Sequence, residues 1–334
     1  MTDEATFTTL VERHRAELRV HCYRMVGSLD EAEDLVQETF LRAWRRRETY
    51  EGRSTLRAWL YRIATNACLD LLDGRARRVL PHHLAPPEAS GAGAVARSDV
   101  PWLQPFPDRL LEPVAPRDAE PDAVAVTRET IELAFLAAIQ HLPPAQRAAL
   151  ILRDVLGWPA RQVADLLDTS VAAANSALQR ARATMRTQLP ERRLDWAPAT
   201  ASSEEERAVL RRYMAAMERA DLDAVADLLA EDVRATMPPY PLWFQGRDAV
   251  VASLAASWDP DLPEFVGRFR MLETEANRQP AAAAYVRKSD DAAYRPFALG
   301  VARVAHGRIA ELTAFHDTSL FAAFGMPAEL PADR

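Results

Sequence analysis

Over residues 28–43, apolar side chains recur every three or four positions at Ala32, Leu35, Val36, Phe40 and Ala43, which predicts an amphipathic helix. Ser28 and Glu31 stand at capping-box spacing at its start. Asp30, Glu33, Asp34, Gln37, Glu38 and Arg42 lie largely off the stripe and form one acidic face, which water satisfies or a basic partner meets. After a turn at Glu51-Gly52-Arg53, Ser54 is placed to cap a second helix with the stripe Leu56, Trp59, Leu60, Ile63, Ala64, Ala67, Cys68, Leu71 and Leu72. Its other face carries Arg57, Arg62, Thr65, Asn66 and Asp70, and its end is basic, with Arg75, Arg77 and Arg78 after Gly74. A basic helix end beside Trp59 and Tyr61 can hold phosphates and stack an unpaired base.

Residues 81–126 contain nine of the 23 prolines and no sustained apolar period, and read as a linker. Within it, the run from Val100 to Asp108 carries Trp102 and Phe106, which a disordered tether does not need, so docking on a neighbouring domain is expected. From residue 127 to 189 the pattern is helical again: Ile131, Ala134, Phe135 and Ala138, a Pro143-Pro144 break, then a helix through Leu150 to Val155. Arg161–Leu167, a turn at Asp168-Thr169-Ser170, and a helix with stripe Val171, Ala174, Leu178, Ala181 and Met185 have helix-turn-helix spacing. The last helix would expose Asn175, Ser176, Gln179, Arg180 and Arg182 to base edges or phosphates, although any helical hairpin can show this pattern.

A second break spans residues 190–204, and a third domain is expected over 205–330. Leu210, Tyr213, Met214 and Met217 predict one helix; Leu222, Val225, Leu228 and Leu229 another; and Asp248–Ser257 a third. The period then changes to two, predicting strands over 265–276, 281–287, 294–305 and 309–316, with His306-Gly307 turning the last hairpin. Helices followed by an antiparallel sheet make an α+β cone.

Charge changes the picture only when divided along the chain. The net −7 comprises +1 over residues 1–80, −4 over 81–126, +3 over 127–193 and −7 over 194–334. Nucleic-acid contact therefore belongs to the first and third segments. No apolar run is long enough to cross a bilayer, and the acidic start lacks the form of a secretory signal, so a cytoplasmic location without membrane attachment is expected. Cys22 and Cys68 have no metal or disulfide spacing and read as buried free thiols. His14, His21 and Cys22 share one helix without a compact ligand set, so no metal is expected.

Together these segments resemble a bacterial RNA polymerase sigma factor of the extracytoplasmic-function (ECF) group. HCYRMVGSLDEAEDLVQETFLRAWRR at 21–46 is similar to the family's polymerase-binding helix, which gives Asp30, Glu33, Asp34, Gln37 and Glu38 a basic partner. STLRAWLYRIATNACLDLL at 54–72 is similar to the helix that melts and reads the minus-ten element. By that resemblance Trp59 lies near the strand junction, Asn66 near the pocket for a flipped base, and Arg62, Arg75, Arg77 and Arg78 along the DNA. Residues 142–186 resemble the minus-thirty-five reader, with preference falling on Asn175, Ser176, Gln179, Arg180 and Arg182. The alanines at 172–174 and 177 leave few long side chains to specify bases.

The third domain is similar to SnoaL-like domains of the NTF2-like superfold, and the whole chain looks like the sigma-G type of actinobacteria. The implied architecture is two all-α sigma domains, region 2 over 1–80 and region 4 over 127–189, plus the cone. The implied partners are core RNA polymerase and promoter DNA, with a small-molecule ligand of the cone as a candidate and a separate anti-sigma protein left open; no cofactor is implied. Tyr240, Trp243, Arg270, Tyr285, His316 and Asp317 are candidate cavity groups. Adjacent strand residues point to opposite faces, so His316 and Asp317 are not expected to form a catalytic dyad, and modulation in cis is favoured over catalysis. The alternatives are a DNA-binding regulator acting without polymerase, and a small-molecule sensor or enzyme.

Overall fold

The computed structural model describes residues 4–50, 55–88, 93–111, 131–189 and 202–332. They fall into two compact units, Met1–Arg78 with Leu110–Ala199, and Val79–Arg109 with Thr200–Arg334.

In the first unit, α1 (Glu4–Glu12) precedes a bundle of α2 (Arg15–Val26), α3 (Leu29–Arg45) and α4 (Leu56–Leu72). Gly27, at φ 71°, ends α2 and donates to Tyr23 O, and the Ser28 hydroxyl then accepts the Glu31 N–H to open α3. Thr55 caps α4 by accepting from Ala58 N–H, while Ser54, the expected cap, lies outside the described residues. Leu18, Cys22, Ala32, Val36, Leu60, Ala64 and Cys68 are wholly buried, and both cysteines are free thiols.

The remaining helices are α5 (Leu133–Ile139), α6 (Pro144–Leu150) continuing as a π turn over Ile151–Val155, α7 (Ala160–Leu166) and α8 (Val171–Gln188). They attach to the bundle where α2 ends. The carbonyls of its last turn have no partner within the helix, and there Gln140 Nε2 donates to Arg24 O at 3.4 Å while the Arg147 guanidinium donates to Met25 O. Arg147 is 2% exposed and also donates to Gln140 Oε1 at 2.8 Å and to Leu142 O at 3.1 Å. Burial lowers its pKa to about 10, so it remains a cation, the charge that a helix C-terminus favours.

The second unit contains α9 (Glu204–Glu218), α10 (Leu222–Leu228), β1 (Leu229–Thr236), β2 (Trp243–Gln245), α11 (Arg247–Trp258), β3 (Arg268–Ala276), β4 (Gln279–Arg287), β5 (Ala293–Ala305), β6 (Arg308–Phe315), α12 (Leu320–Ala323) and β7 (Leu330–Pro331). The sheet order is β2-β1-β6-β5-β4-β3, with β7 on the start of β5. It is mixed rather than wholly antiparallel as expected, because β1 lies parallel to β6. The sequence reading missed β1 and β2: Leu229 was absorbed into the preceding helical stripe, and the exposed Glu231 and Asp232 interrupt any alternation. His306 and Gly307, at φ 52° and 72°, turn the β5–β6 hairpin as predicted, and Asn277 and Arg278, at φ 57° and 58°, do the same between β3 and β4.

The expected linker is divided. Residues Val79–Arg109 pack into the second unit, and residues 112–130 lie outside those described. Val79 bridges to Trp102, and Leu103 N–H donates to Val79 O at 3.0 Å, closing the stretch on itself. Glu88 N–H donates to Trp243 O at 2.9 Å, and the Trp243 indole N–H donates to Ala85 O at 2.8 Å. Arg97 N–H donates to Pro239 O at 2.9 Å. Phe106 exchanges hydrogen bonds with Asn277 at 2.8 and 2.9 Å, and the Asp108 carboxylate accepts from Arg278 N–H at 2.9 Å. The docking expected of the Trp102–Phe106 run is thus observed, with Leu103 and Phe106 essentially inaccessible to solvent.

Candidate nucleic-acid interface

On α3, Asp30, Asp34 and Gln37 are exposed, while Glu33 and Glu38 are half-buried. Glu33 pairs with Arg19 at 3.1 Å; Glu38 pairs with Arg42 at 2.7 Å, and Arg42 reaches Asp70 at 2.8 Å. Between α3 and α4 runs an open groove of about 540 Å³, lined by Leu35 and Leu71, by the acids Glu31, Asp34, Glu38 and Asp70, and by Arg42 and Arg75.

Along α4, Arg62 and Asn66 are exposed, and Trp59 is half-buried with its ring centroid 5.2 Å from that of Tyr50. Two residues expected on this open face are not there. Thr65 is buried against His21, whose Nε2 lies 2.9 Å from its hydroxyl, and Arg57 donates to the buried Glu17 at 2.7 Å. Glu17 also accepts from Tyr61 OH at 3.2 Å and lies 2.5 Å from His14; burial acts to raise its carboxyl, but His14 and Arg57 outweigh it and hold the group below the ordinary range. Burial lowers the His21 pKa to about 3, so its ring is neutral. This network fixes α4 against α2, and it has no local signature because its links between the two helices join residues 40 or more positions apart.

The basic end of α4 is reversed by Gly74 at φ 67°. Arg75 and Arg78 both reach Glu31, at 3.0 and 2.8 Å, and Arg77 contacts His141. Arg62 lies 4.0 Å from Asp168 in the turn between α7 and α8.

That turn has Asp168 at φ 52°, and Ser170 caps α8 by accepting from Ala173 N–H at 3.1 Å. Ala174, Leu178, Ala181 and Met185 are buried as expected, but Val171 is 41% exposed, because it stands in the first turn ahead of the packed stripe. Asn175, Ser176, Gln179 and Arg180 are exposed on one surface of α8. Arg182 is engaged in two hydrogen bonds to Asp154, at 2.8 and 2.7 Å, which brace α8 against the π turn.

The six candidate cavity groups of the third domain do not converge. Tyr240 and His316 meet with rings edge to face at 5.5 Å, and Phe297 lies across His316 at 4.8 Å. Trp243 is bound to the linker, as described above. Arg270 and Tyr285 are cross-strand partners opposite the face bearing Phe269 and Met271; Tyr285 donates to Pro327 O, and Arg270 stacks over Tyr294. Asp317 accepts from Ser319 N–H and hydroxyl, at 3.1 and 2.6 Å. Burial lowers the His316 pKa to about 4, and its Nε2 meets no hydrogen-bond partner among the described residues. His316 and Asp317 make no dyad.

Comparison with known proteins agrees with this layout. Residues 10–78 match the family model for Sigma-70 region 2, residues 132–185 that for Sigma-70, region 4, and residues 210–312 that for the SnoaL-like domain. The chain is 46% identical to the ECF RNA polymerase sigma factor SigG of Mycobacterium tuberculosis over 327 residues, 97% of this chain and 85% of that one. It is 32% identical to SigJ of the same organism over 228 residues, 67% of this chain and 62% of SigJ. The crystal structure of SigJ aligns with a TM-score of 0.59 at 24% identity, covering 96% of this chain and 99% of that one, and so shares the fold. The chain belongs to the ECF group of RNA polymerase sigma factors, with a SnoaL-like C-terminal domain. Its function is promoter-specific initiation of transcription, and its partners are core RNA polymerase and promoter DNA. No helix among the described residues is long and apolar enough to cross a membrane.

Proposed function

We propose that the third domain governs initiation in cis by holding the segment that joins the two promoter-reading domains. In this reading, region 2 (residues 1–80) binds core polymerase through Asp30, Glu33, Asp34, Gln37 and Glu38, and opens the minus-ten element with Trp59, Arg62, Asn66, Arg75, Arg77 and Arg78. Region 4 (residues 127–189) reads the minus-thirty-five element with Asn175, Ser176, Gln179 and Arg180, while Arg182 orients α8 through Asp154. The exposure of Asn66 and of the α8 surface supports these roles. The observation that carries the cis reading is the docking of Val79–Arg109, whose backbone bonds reach Trp243, Pro239, Asn277 and Arg278 of the third domain. A linker held at Ala85, Glu88, Arg97, Phe106 and Asp108 is not free to take another path until that docking yields, so the third domain biases the competent arrangement by differential affinity.

The third domain binds rather than catalyses. Among the described residues the buried neutral His316 meets no carboxylate to cycle a proton with, and Asp317 is committed to Ser319. The protein acts in the cytoplasm, where its polymerase and DNA are. The test is promoter-dependent output of Trp243→Ala and Asn277→Ala, which cut the linker's anchors. Output should change while core binding does not, and unchanged output from both would refute control through the linker.

A further inference from the structure

Glu31 stands at capping-box spacing from Ser28, yet its carboxylate holds two arginines at once. Oε1 lies 3.0 Å from Arg75 Nη1, and Oε2 lies 2.8 Å from Arg78 Nη2. The seat is built from both sides. Leu29 and Ala32 are buried beside Glu31, and its own N–H is held by Ser28 Oγ at 3.3 Å, so the acid cannot drift with its partners. Asp73 leaves the helical conformation at φ −64°, ψ 125°, and Gly74 at φ 67° turns the chain so that the residues after α4 come back over the start of α3. Arg75 remains 52% exposed and Arg78 17%, so the pair is both shaped by the fold and reachable from solvent.

Two guanidinium groups converging on the two oxygens of one anion is how paired arginines hold a phosphodiester. Resting on the reading above, in which Arg75 and Arg78 take the DNA backbone, we infer that Glu31 is an internal stand-in for a DNA phosphate. It keeps the two arginines in phosphate-binding geometry and, by occupying their seat, holds down the affinity of the free chain for DNA. An incoming phosphate must displace a tethered carboxylate, so part of the electrostatic gain from each arginine is already spent. Glu31 lines the same groove as Asp34 and Glu38, which places the competitor on the helix assigned to polymerase.

The test uses the full chain and a fluorescein-labelled single strand of mixed sequence, because phosphate contacts do not depend on sequence. Binding is followed by anisotropy across salt concentrations. Glu31→Gln keeps the shape and removes the charge. It should bind about three- to ten-fold more tightly at low salt, a range set by two partly exposed ion pairs. Its log–log salt slope should steepen by about 0.7 for each arginine released. Glu31→Asp, too short to span both arginines, should fall between the two, and thermal melts of each variant confirm that the fold is kept. The double variant Arg75→Ala with Arg78→Ala should bind more weakly with a shallower slope, and adding Glu31→Gln to it should change nothing. If the double variant weakens binding while Glu31→Gln leaves it unchanged or weaker, the stand-in is overturned and the arginines survive as DNA contacts. If the double variant binds as the parent does, the assignment of Arg75 and Arg78 to DNA falls, and the inference with it.

Discussion

The Trp158 indole, at the entry to the helix-turn-helix, packs against the Tyr61 ring of α4 with centroids 5.1 Å apart. Arg57 lies over both rings, 5.0 Å from Tyr61 and 5.8 Å from Trp158. Two promoter elements named for positions about 25 base pairs apart are separated by about 85 Å of B-form duplex at ~3.4 Å per base pair. Arg62 on α4 and Asp168 before α8 are 4.0 Å apart. If α4 and α8 read the two elements as proposed, the arrangement in the first unit belongs to the protein off its promoter, and α8 parts from α4 before both elements are read.

Trp158→Ala removes most of the apolar surface in that contact, and truncation of a buried Trp costs about 3–5 kcal/mol. The expected result is faster amide exchange along α4 from Tyr61 to Cys68 and a larger radius of gyration by small-angle scattering. Parental exchange in this variant would mean that the Tyr61 contact does not hold the two domains.

Reversing charge at Asp34 and Glu38 tests the polymerase face. Asp34 is exposed and Glu38 half-buried, so Asp34→Arg with Glu38→Arg should fold normally and lose at least about ten-fold in affinity for core polymerase. Retained core binding would mean that Asp34 and Glu38 are not the polymerase contact and that another face of region 2 makes it.

On α8, Gln179→Ala and Arg182→Ala should part company. Gln179 is exposed, and its loss should cost about 1–3 kcal/mol in binding one promoter sequence with no change in stability. Arg182 is bound to Asp154, and its loss should lower the melting temperature of the first unit and weaken DNA binding only through α8. Equal stability of the two variants would remove the bracing role.

Asp108 makes linker docking pH-dependent. Burial raises its carboxyl from 3.8 to about 6, opposed by hydrogen bonds from the backbone of Arg278 and Asn277 and reinforced by the nearby Glu275. The docked state therefore favours the protonated acid. Docking is tightest below pH ~4 with respect to this group, weakens as pH rises through about 6, and is level above that. Exchange of the amides near Phe106, corrected for intrinsic rate, should be slower at pH 5 than at pH 7.5, and Asp108→Asn should abolish the difference. Faster exchange at pH 5 in the parent would contradict the sign.

Helices, the helix-turn-helix and the strands β3 to β6 were legible because each is set by a local period: apolar side chains at three and four, then at two. The exposed residues of α8 and the Trp102–Phe106 run followed from the same patterns. Glu31, the Glu17–Arg57–Tyr61 network and Trp158 were not legible as a site, because each depends on a partner 40 or more residues away. The cavity groups were chosen by chemical type. Strand register puts Arg270 and Tyr285 opposite one another on one face, His316 lies just past the end of β6, and the missed β1 and β2 are what place Trp243 against the linker.

The most direct test of control by the third domain is run-off transcription with core polymerase on a promoter selected from a genomic fragment library. The full chain is compared with a version ending at Leu189. Both should initiate at the same promoters, and the shortened chain, freed of the domain that binds Val79–Arg109, should do so with a different yield. Identical yields at every pH and salt concentration tried would contradict the account, leaving the third domain without a part in initiation.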